Sequence, residues 1–335
     1  MNVFITGATG FIGSCLALKL AENGNKVHAL YRSFDKTDII QHPNIKLFKG
    51  DIMDLNSLQI AMKGCDQVYH TAAFTKAWCK DVALIYRLNI EGTLNVIRTG
   101  IKEGIKRFVC TSTAGVLGPS IQNVCIDETS APPDKYFIDY EFSKALLENI
   151  LITLSLKGPE IIIVNPSRVY GPGVLNESNS VTRIIKLYMS GKWRLIPGNG
   201  KSIGNYVFID DVVNAHILAM EKGKSGERYV ISGSNISYNE LIKVLVELTG
   251  MKFNMFHIPI FLMMIISRIL LIYSKIFDRK PLITPSLVRK YSYNFYLSSD
   301  KAQKELGYNP VNFKTGAKMT IDWLNSHPHQ QTGTL

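Results

Sequence analysis

The chain has 335 residues, of which 46% are hydrophobic and 19% charged, and its formal net charge is +11 at pH 7. Such a length and composition support a large core divided between two lobes and exclude a disordered or low-complexity chain. Residues 251–335 carry 11 Lys/Arg against 4 Asp/Glu, but no nucleic-acid recognition motif accompanies that basic excess, so no nucleic-acid partner is expected.

The first apolar run, Val3-Phe4-Ile5, reads as a strand over 2–6 and leads into Thr6-Gly7-Ala8-Thr9-Gly10-Phe11-Ile12-Gly13 and a helical pattern over 11–23. A strand, glycine turn and helix start in that order suit a pyrophosphate. Gly7 permits the bend, Gly10 lets backbone N–H groups approach, and Gly13 lets the helix pack on the strand. No basic region precedes the apolar run, so no signal peptide and a cytoplasmic location are expected.

Further strands are predicted at 26–31, 45–48, 67–70, 107–112 and 160–165, alternating with helices at 55–63, 81–103 and 139–157. The alternation implies a parallel sheet with helices on both faces. Ile161-Ile162-Ile163-Val164 and Phe108-Val109-Cys110 are almost wholly apolar, as strands covered on both faces should be. After Pro172 the loops lengthen, and the rhythm returns at 206–209, 211–222 and 228–232, which predicts a sheet completed late in the chain.

Tyr140 and Lys144 stand four positions apart on a predicted helix, hence on one face and one turn apart. With Thr111-Ser112-Thr113 at a strand end they form a chemical trio of phenol, ammonium and hydroxyl. An ammonium near a phenol favours the phenolate and predicts a Tyr140 pKa lowered from about 10.

With these pieces in order, and with GDI at 50–52, HTAA at 70–73, Asn89 followed by Glu91-Gly92-Thr93, NPSRVYGPG at 165–173 and FIDDV at 208–212, the chain resembles the extended short-chain dehydrogenases/reductases, the NAD-dependent epimerase/dehydratase family. The resemblance runs from Met1 to about Trp323. It implies an α/β fold, a Rossmann-type doubly wound parallel sheet with a smaller interleaved C-terminal substrate lobe. The dinucleotide domain would take 1–167, completed by about 205–232, the substrate lobe 168–204 and 233–328, and a tail 329–335.

The same resemblance implies Tyr140 as the acid–base residue, Lys144 as its electrostatic partner and anchor of the nicotinamide ribose, and Thr113 as the second hydrogen bond to the substrate oxygen, with Ser112 as the alternative. Cofactor contacts are implied for Gly7, Thr9, Gly10, Phe11, Ile12, Gly13, Asp51 and Ile52 (adenine side), Thr71, Ala72, Ala73, Asn89, Thr111, Ser112, Tyr140, Lys144, Asn165, Pro166 and Ser167. His70 reads as a satisfied strand-end histidine. A homodimer through the helices over 81–103 and 139–157 is implied as well.

Where NAD-using relatives place a carboxylate after the second strand, this chain reads Tyr31-Arg32-Ser33. A guanidinium and a hydroxyl attract a 2′-phosphate, so NADP is expected, with NAD the alternative if Asp35 supplies the ribose contact. The place at which sugar-nucleotide enzymes grip a diphosphate with arginine is Gly204 here. That departure favours a carbonyl reductase or alcohol dehydrogenase resembling the dihydroflavonol-4-reductase and 3β-hydroxysteroid-dehydrogenase branch. A sugar epimerase or dehydratase with tightly held cofactor is the alternative, and a non-catalytic dinucleotide sensor a third reading. Phe74, Trp78, Tyr170, Val181 and Ile184 are candidates for a small-molecule substrate pocket, although such residues serve equally as core.

Residues 255–277 are rich in large apolar side chains, but the charge-free run ends at Arg268, short of the roughly 20 residues a spanning helix needs. Two readings stay open for 255–280: a buried substrate-lobe helix, or peripheral contact with a membrane surface. The five cysteines show no CxxC spacing and no histidines pair at ligand spacing, so neither a disulfide framework nor a metal site is expected.

Overall fold

The computed structural model describes residues 1–33, 37–121 and 124–327. Asp35 and the tail over 329–335 lie outside these residues. In chain order the strands are β1 (Asn2–Thr6), β2 (Lys26–Tyr31), β3 (Ile45–Lys49), β4 (Gln67–His70), β5 (Arg107–Thr111), β6 (Glu160–Pro166), β7 (Arg168–Tyr170), β8 (Leu195–Pro197), β9 (Ile203–Phe208), β10 (Arg228–Ile231), β11 (Ser234–Ser237) and β12 (Phe256–Ile258). The α-helices are α1 (Phe11–Glu22), α2 (Leu55–Met62), α3 (Val82–Tyr86), α4 (Gly92–Lys102), α5 (Asp139–Ser155), α6 (Ser180–Met189), α7 (Ile209–Lys222), α8 (Tyr238–Thr249), α9 (Ile260–Ile276), α10 (Pro285–Lys290), α11 (Asp300–Leu306) and α12 (Phe313–Ser326).

Seven strands form one parallel sheet in the order β10-β6-β5-β4-β1-β2-β3. The order reverses direction between β1 and β4, and in open sheets of this kind ligands bind outside the carboxyl ends of the strands at such a point. Alternate residues of each strand feed two cores. Val3, Ile5, Val109, Ile162 and Val164 face the layer of α1 and α7, while Phe4, Phe108, Cys110, Ile161 and Ile163 face that of α2, α4 and α5. Burial on both faces explains why these strands lack a polar alternation.

Two predicted elements differ from the observed ones. The region expected as one helix over 81–103 is α3, a π-helical turn over Arg87–Glu91, and α4. The wider turn brings Asn89 inward, where its amide donates to Ser143 Oγ (2.9 Å) and accepts from Phe74 N (2.7 Å). Of the two late strands, β10 enters the main sheet beside β6, but β9 joins a three-stranded sheet with β7 and β11. Asn205 on β9 donates to Gly233 O and to Asn235 Oδ1 on β11, side-chain bonds that add to the β9–β11 pairing.

Candidate active site

The glycine turn between β1 and α1 is shaped by what it touches. Gly7 has φ +69°, and a Cβ there would lie 2.7 Å from Ala72 N at the end of β4. A Cβ at Gly13 would overlap Gly7 O. Gly10, in extended conformation, caps α1 without a side-chain bond to the first-turn amides, and no acidic residue occupies that turn. Main-chain donors at the positive end of the helix dipole are thus left for an anion. This cradle fits a dinucleotide pyrophosphate.

Beside the turn, Thr6 Oγ1 and His70 Nδ1 are 2.7 Å apart, and His70 Nε2 lies 2.8 Å from Thr93 Oγ1. Burial first, and then the charge of Lys144, lower the His70 pKa to about 3. The ring is neutral and satisfied at both nitrogens, a structural part rather than an acid or base. Arg32 is exposed beyond β2, with its guanidinium 3.8 Å from Asp51 beyond β3. Ser33 is exposed there too, and Ile52 is buried.

The polar trio stands where α5 passes the end of β5. Lys144 is buried and donates to Thr111 O at 2.7 Å. Burial lowers its pKa to about 8, against the nearby Cys110 and Glu148, which raise it. Tyr140, one turn earlier, corrects the sequence expectation. Burial, reinforced by the Glu141 and Glu148 carboxylates, pushes its phenol up rather than down. Burial and the two carboxylates all disfavour the phenolate, so the protein alone holds Tyr140 as a protonated donor.

Thr113 Oγ1 accepts from Gly115 N (3.1 Å) as it caps a short 3₁₀ turn over Ala114–Leu117. That bond uses a lone pair and leaves the Thr113 O–H free to donate. Ser112 is buried, and its hydroxyl is committed to Glu148 Oε1. The Thr111 hydroxyl lies 2.8 Å from His216 Nε2.

Glu148 was missed in the sequence. Besides Ser112 it takes Asn165 Nδ2 on Oε1 (2.6 Å) and Arg228 NH1 on Oε2 (3.3 Å), and Asn165 Nδ2 also donates to Thr113 O (3.1 Å). One buried carboxylate therefore ties α5, β5, β6 and β10 together beneath the trio. Its position eight residues after Tyr140 and four after Lys144 puts it on their helix face, the one signal that was available.

Arg168, also missed, lies at the start of β7. Its NH1 donates to the hydroxyls of Tyr206 and Tyr238 at 3.4 Å, and its guanidinium stands 5.6 Å from the Tyr206 and Phe295 ring centroids. A Cβ at Gly204 would come within 2.6 Å of NH1, so the glycine at 204 makes room for this guanidinium. No carboxylate pairs with it among the described residues. An open cleft of about 920 Å³ is lined in part by Lys201, Ser202, Tyr291 and Asn294 but by none of the trio, and Tyr291 packs edge-on against Tyr238.

Of the substrate-pocket candidates, Phe74, Trp78 and Ile184 are half-buried, whereas Tyr170 and Val181 belong to the core. Tyr170 packs on Phe208 and Phe313 and donates its hydroxyl to Phe313 O. Two candidate cofactor contacts are likewise engaged in structure. The Phe11 ring is buried against the position of Gly173, and Asn89 is spent on Phe74 and Ser143. Their side chains face packing partners because the turn and the π-helical register point them inward.

The chain is similar to known proteins over nearly its full length. The sequence model of the NAD dependent epimerase/dehydratase family matches residues 3–232. A putative dihydroflavonol 4-reductase from Synechocystis is 29% identical, covering 98% of this chain and 96% of the relative. Sterol demethylase protein B from Methylococcus capsulatus is 29% identical over 97% of this chain and 98% of its own. Among solved structures, UDP-glucose 4-epimerase from Thermotoga maritima with UDP-glucose superposes with a TM-score of 0.81, at 25% identity over 98% of this chain and 100% of that one. Glycine cradle, reversed sheet order and family match agree: the chain is an enzyme of the NAD-dependent epimerase/dehydratase family, within the extended short-chain dehydrogenases/reductases.

Proposed function

We propose that the protein is an NADP-dependent reductase of a carbonyl group on a small, largely apolar substrate, working through Thr113, Tyr140 and Lys144. The observation that carries this reading is the placement of Tyr140 and Lys144 on one face of α5, with Lys144 bound to Thr111 O two residues before Thr113. A reduced dinucleotide held in the glycine cradle would supply the hydride. As hydride reaches the carbonyl carbon, negative charge builds on oxygen. Tyr140, kept protonated by burial and its carboxylate neighbours, gives its proton to that oxygen. The Thr113 O–H shares the developing charge, and Lys144, one turn from Tyr140, stabilises the phenolate left behind until solvent returns the proton.

Arg32 supports NADP, because a 2′-phosphate would meet an exposed guanidinium whose Asp51 contact, at 3.8 Å, is weak. NADPH is expected to bind more tightly than NADH by about tenfold, and Arg32→Glu to reverse the order. Titration of both cofactors by fluorescence checks this, and tighter NADH binding by the unaltered protein rejects it. A homodimer through α3, α4 and α5, which expose Val82, Ile101 and Phe142, belongs to the same reading; sedimentation equilibrium tests it.

Arg168 favours a second reading, epimerisation or dehydration of a nucleotide sugar, since a diphosphate would neutralise the caged guanidinium beside Gly204. Incubation with aldehydes, ketones and sugar nucleotides separates the two. Stoichiometric NADPH consumption by a carbonyl compound is expected. Conversion of a sugar nucleotide without net cofactor turnover would replace the first reading with the second.

A further inference from the structure

Helix α9 is built inside out. Along its 17 residues only Ser267 and Ser274 are buried, and each hydroxyl turns back on its own helix, to Met264 O and Leu271 O. The large apolar side chains look outward. Phe261 is 70% exposed, Ile265 49%, Ile269 61%, Ile272 59% and Ile276 70%, at spacings of three and four that make one continuous stripe. Phe256 before the helix and Phe277 and Leu282 after it are exposed as well. A helix at the rim of a water-soluble protein carries the opposite pattern, apolar inward and polar outward.

We propose that α9 docks the enzyme on the surface of an anionic lipid bilayer, lying in the interface with this stripe among the acyl chains. At 1.5 Å per residue the helix is about 25 Å long, short of the roughly 30 Å hydrocarbon core, and no helix among the described residues is long and apolar enough to cross a membrane. Charge selects the lipid. Residues 255–290 hold six Lys/Arg and one acid, Asp278. Arg268, Lys275 and Arg279 are exposed, and none has a carboxylate partner among the described residues, whereas Lys280 pairs with Glu177 and Asp278 with Lys80 at 2.8 Å. Cations flanking an in-plane apolar stripe match anionic headgroups. A second copy of the chain brought face to face would oppose the same positive charge, which disfavours a dimer through this face.

Co-sedimentation of the full-length protein with phosphatidylcholine vesicles, with and without phosphatidylglycerol, at low and high salt, tests the proposal. Binding is expected only to the anionic vesicles, weakening with salt. The exposed triple variants Ile269→Asn/Ile272→Asn/Ile276→Asn and Arg268→Gln/Lys275→Gln/Arg279→Gln should each lower it at least about tenfold, with thermal unfolding and dinucleotide affinity unchanged. Should the apolar variant fail to fold, the basic variant decides alone. Failure of the unaltered protein to pellet with anionic vesicles, binding that the basic variant leaves intact, or a dimer that the apolar variant dissolves in the absence of lipid overturns it. These outcomes are independent of which carbonyl or sugar the active site accepts.

Discussion

A carboxylate enclosed at Glu148 is tolerable only because Ser112, Asn165 and Arg228 all donate to it. Removing it should leave three polar groups without their acceptor, so Glu148→Ala is expected to cost about 3–5 kcal/mol of stability, and Glu148→Gln less. Urea unfolding measures both, and a Glu148→Ala protein as stable as the parent would show that the network contributes nothing. The Tyr140/Lys144 pair was legible as a spacing, since i,i+4 on a helix fixes a shared face. Glu148 shares that face without standing out, because a helical glutamate is ordinarily solvated and only the fold brings β5, β6 and β10 against it. The phenol shows a further limit: sequence reveals the ammonium one turn away but not the burial that raises the Tyr140 pKa.

The strand–turn–helix unit at the N-terminus was readable element by element because its constraints are local. Gly13→Ala would drive a methyl into Gly7 O and should cost about 1–3 kcal/mol as the turn shifts, with dinucleotide binding weakened in step. Calorimetry of thermal unfolding and of NADPH binding checks it, and an unchanged protein would refute the tight-cradle account. The π-helical turn at 87–91 was not readable, since its register is set by Asn89 reaching Phe74 and Ser143, both far away in sequence. Strand β9 was found as a strand but not its partners, because apolar strands advertise their period and not the sheet they will join. Tyr170 and Val181 illustrate the same ambiguity for side chains, large apolar residues being equally good as pocket wall or core.

For the whole molecule, two buried histidines contribute to the response to acid. Burial lowers His70 to about 3 and His216 to about 4, the Val212 carbonyl opposing the second shift. The unfolded chain takes up these protons near pH 6.5 while the folded one refuses them, so their stabilisation is complete above about 6.5 and is lost as pH falls towards 4. Between pH 7 and 5 the loss should be about 2 kcal/mol per histidine. Asp211, which burial raises to about 6, opposes it in part by favouring the folded state as pH falls through that range. Urea midpoints across this interval test the sum, and a flat profile would contradict it. We propose that a protonated Tyr140 completes carbonyl reduction above a main-chain cradle, and Tyr140→Phe probes this through single-turnover oxidation of NADPH together with the Kd for NADPH. Loss of about 10²–10⁴-fold in rate with cofactor affinity nearly unchanged is the predicted result, and a variant that still turns over at close to the parent rate would contradict the account.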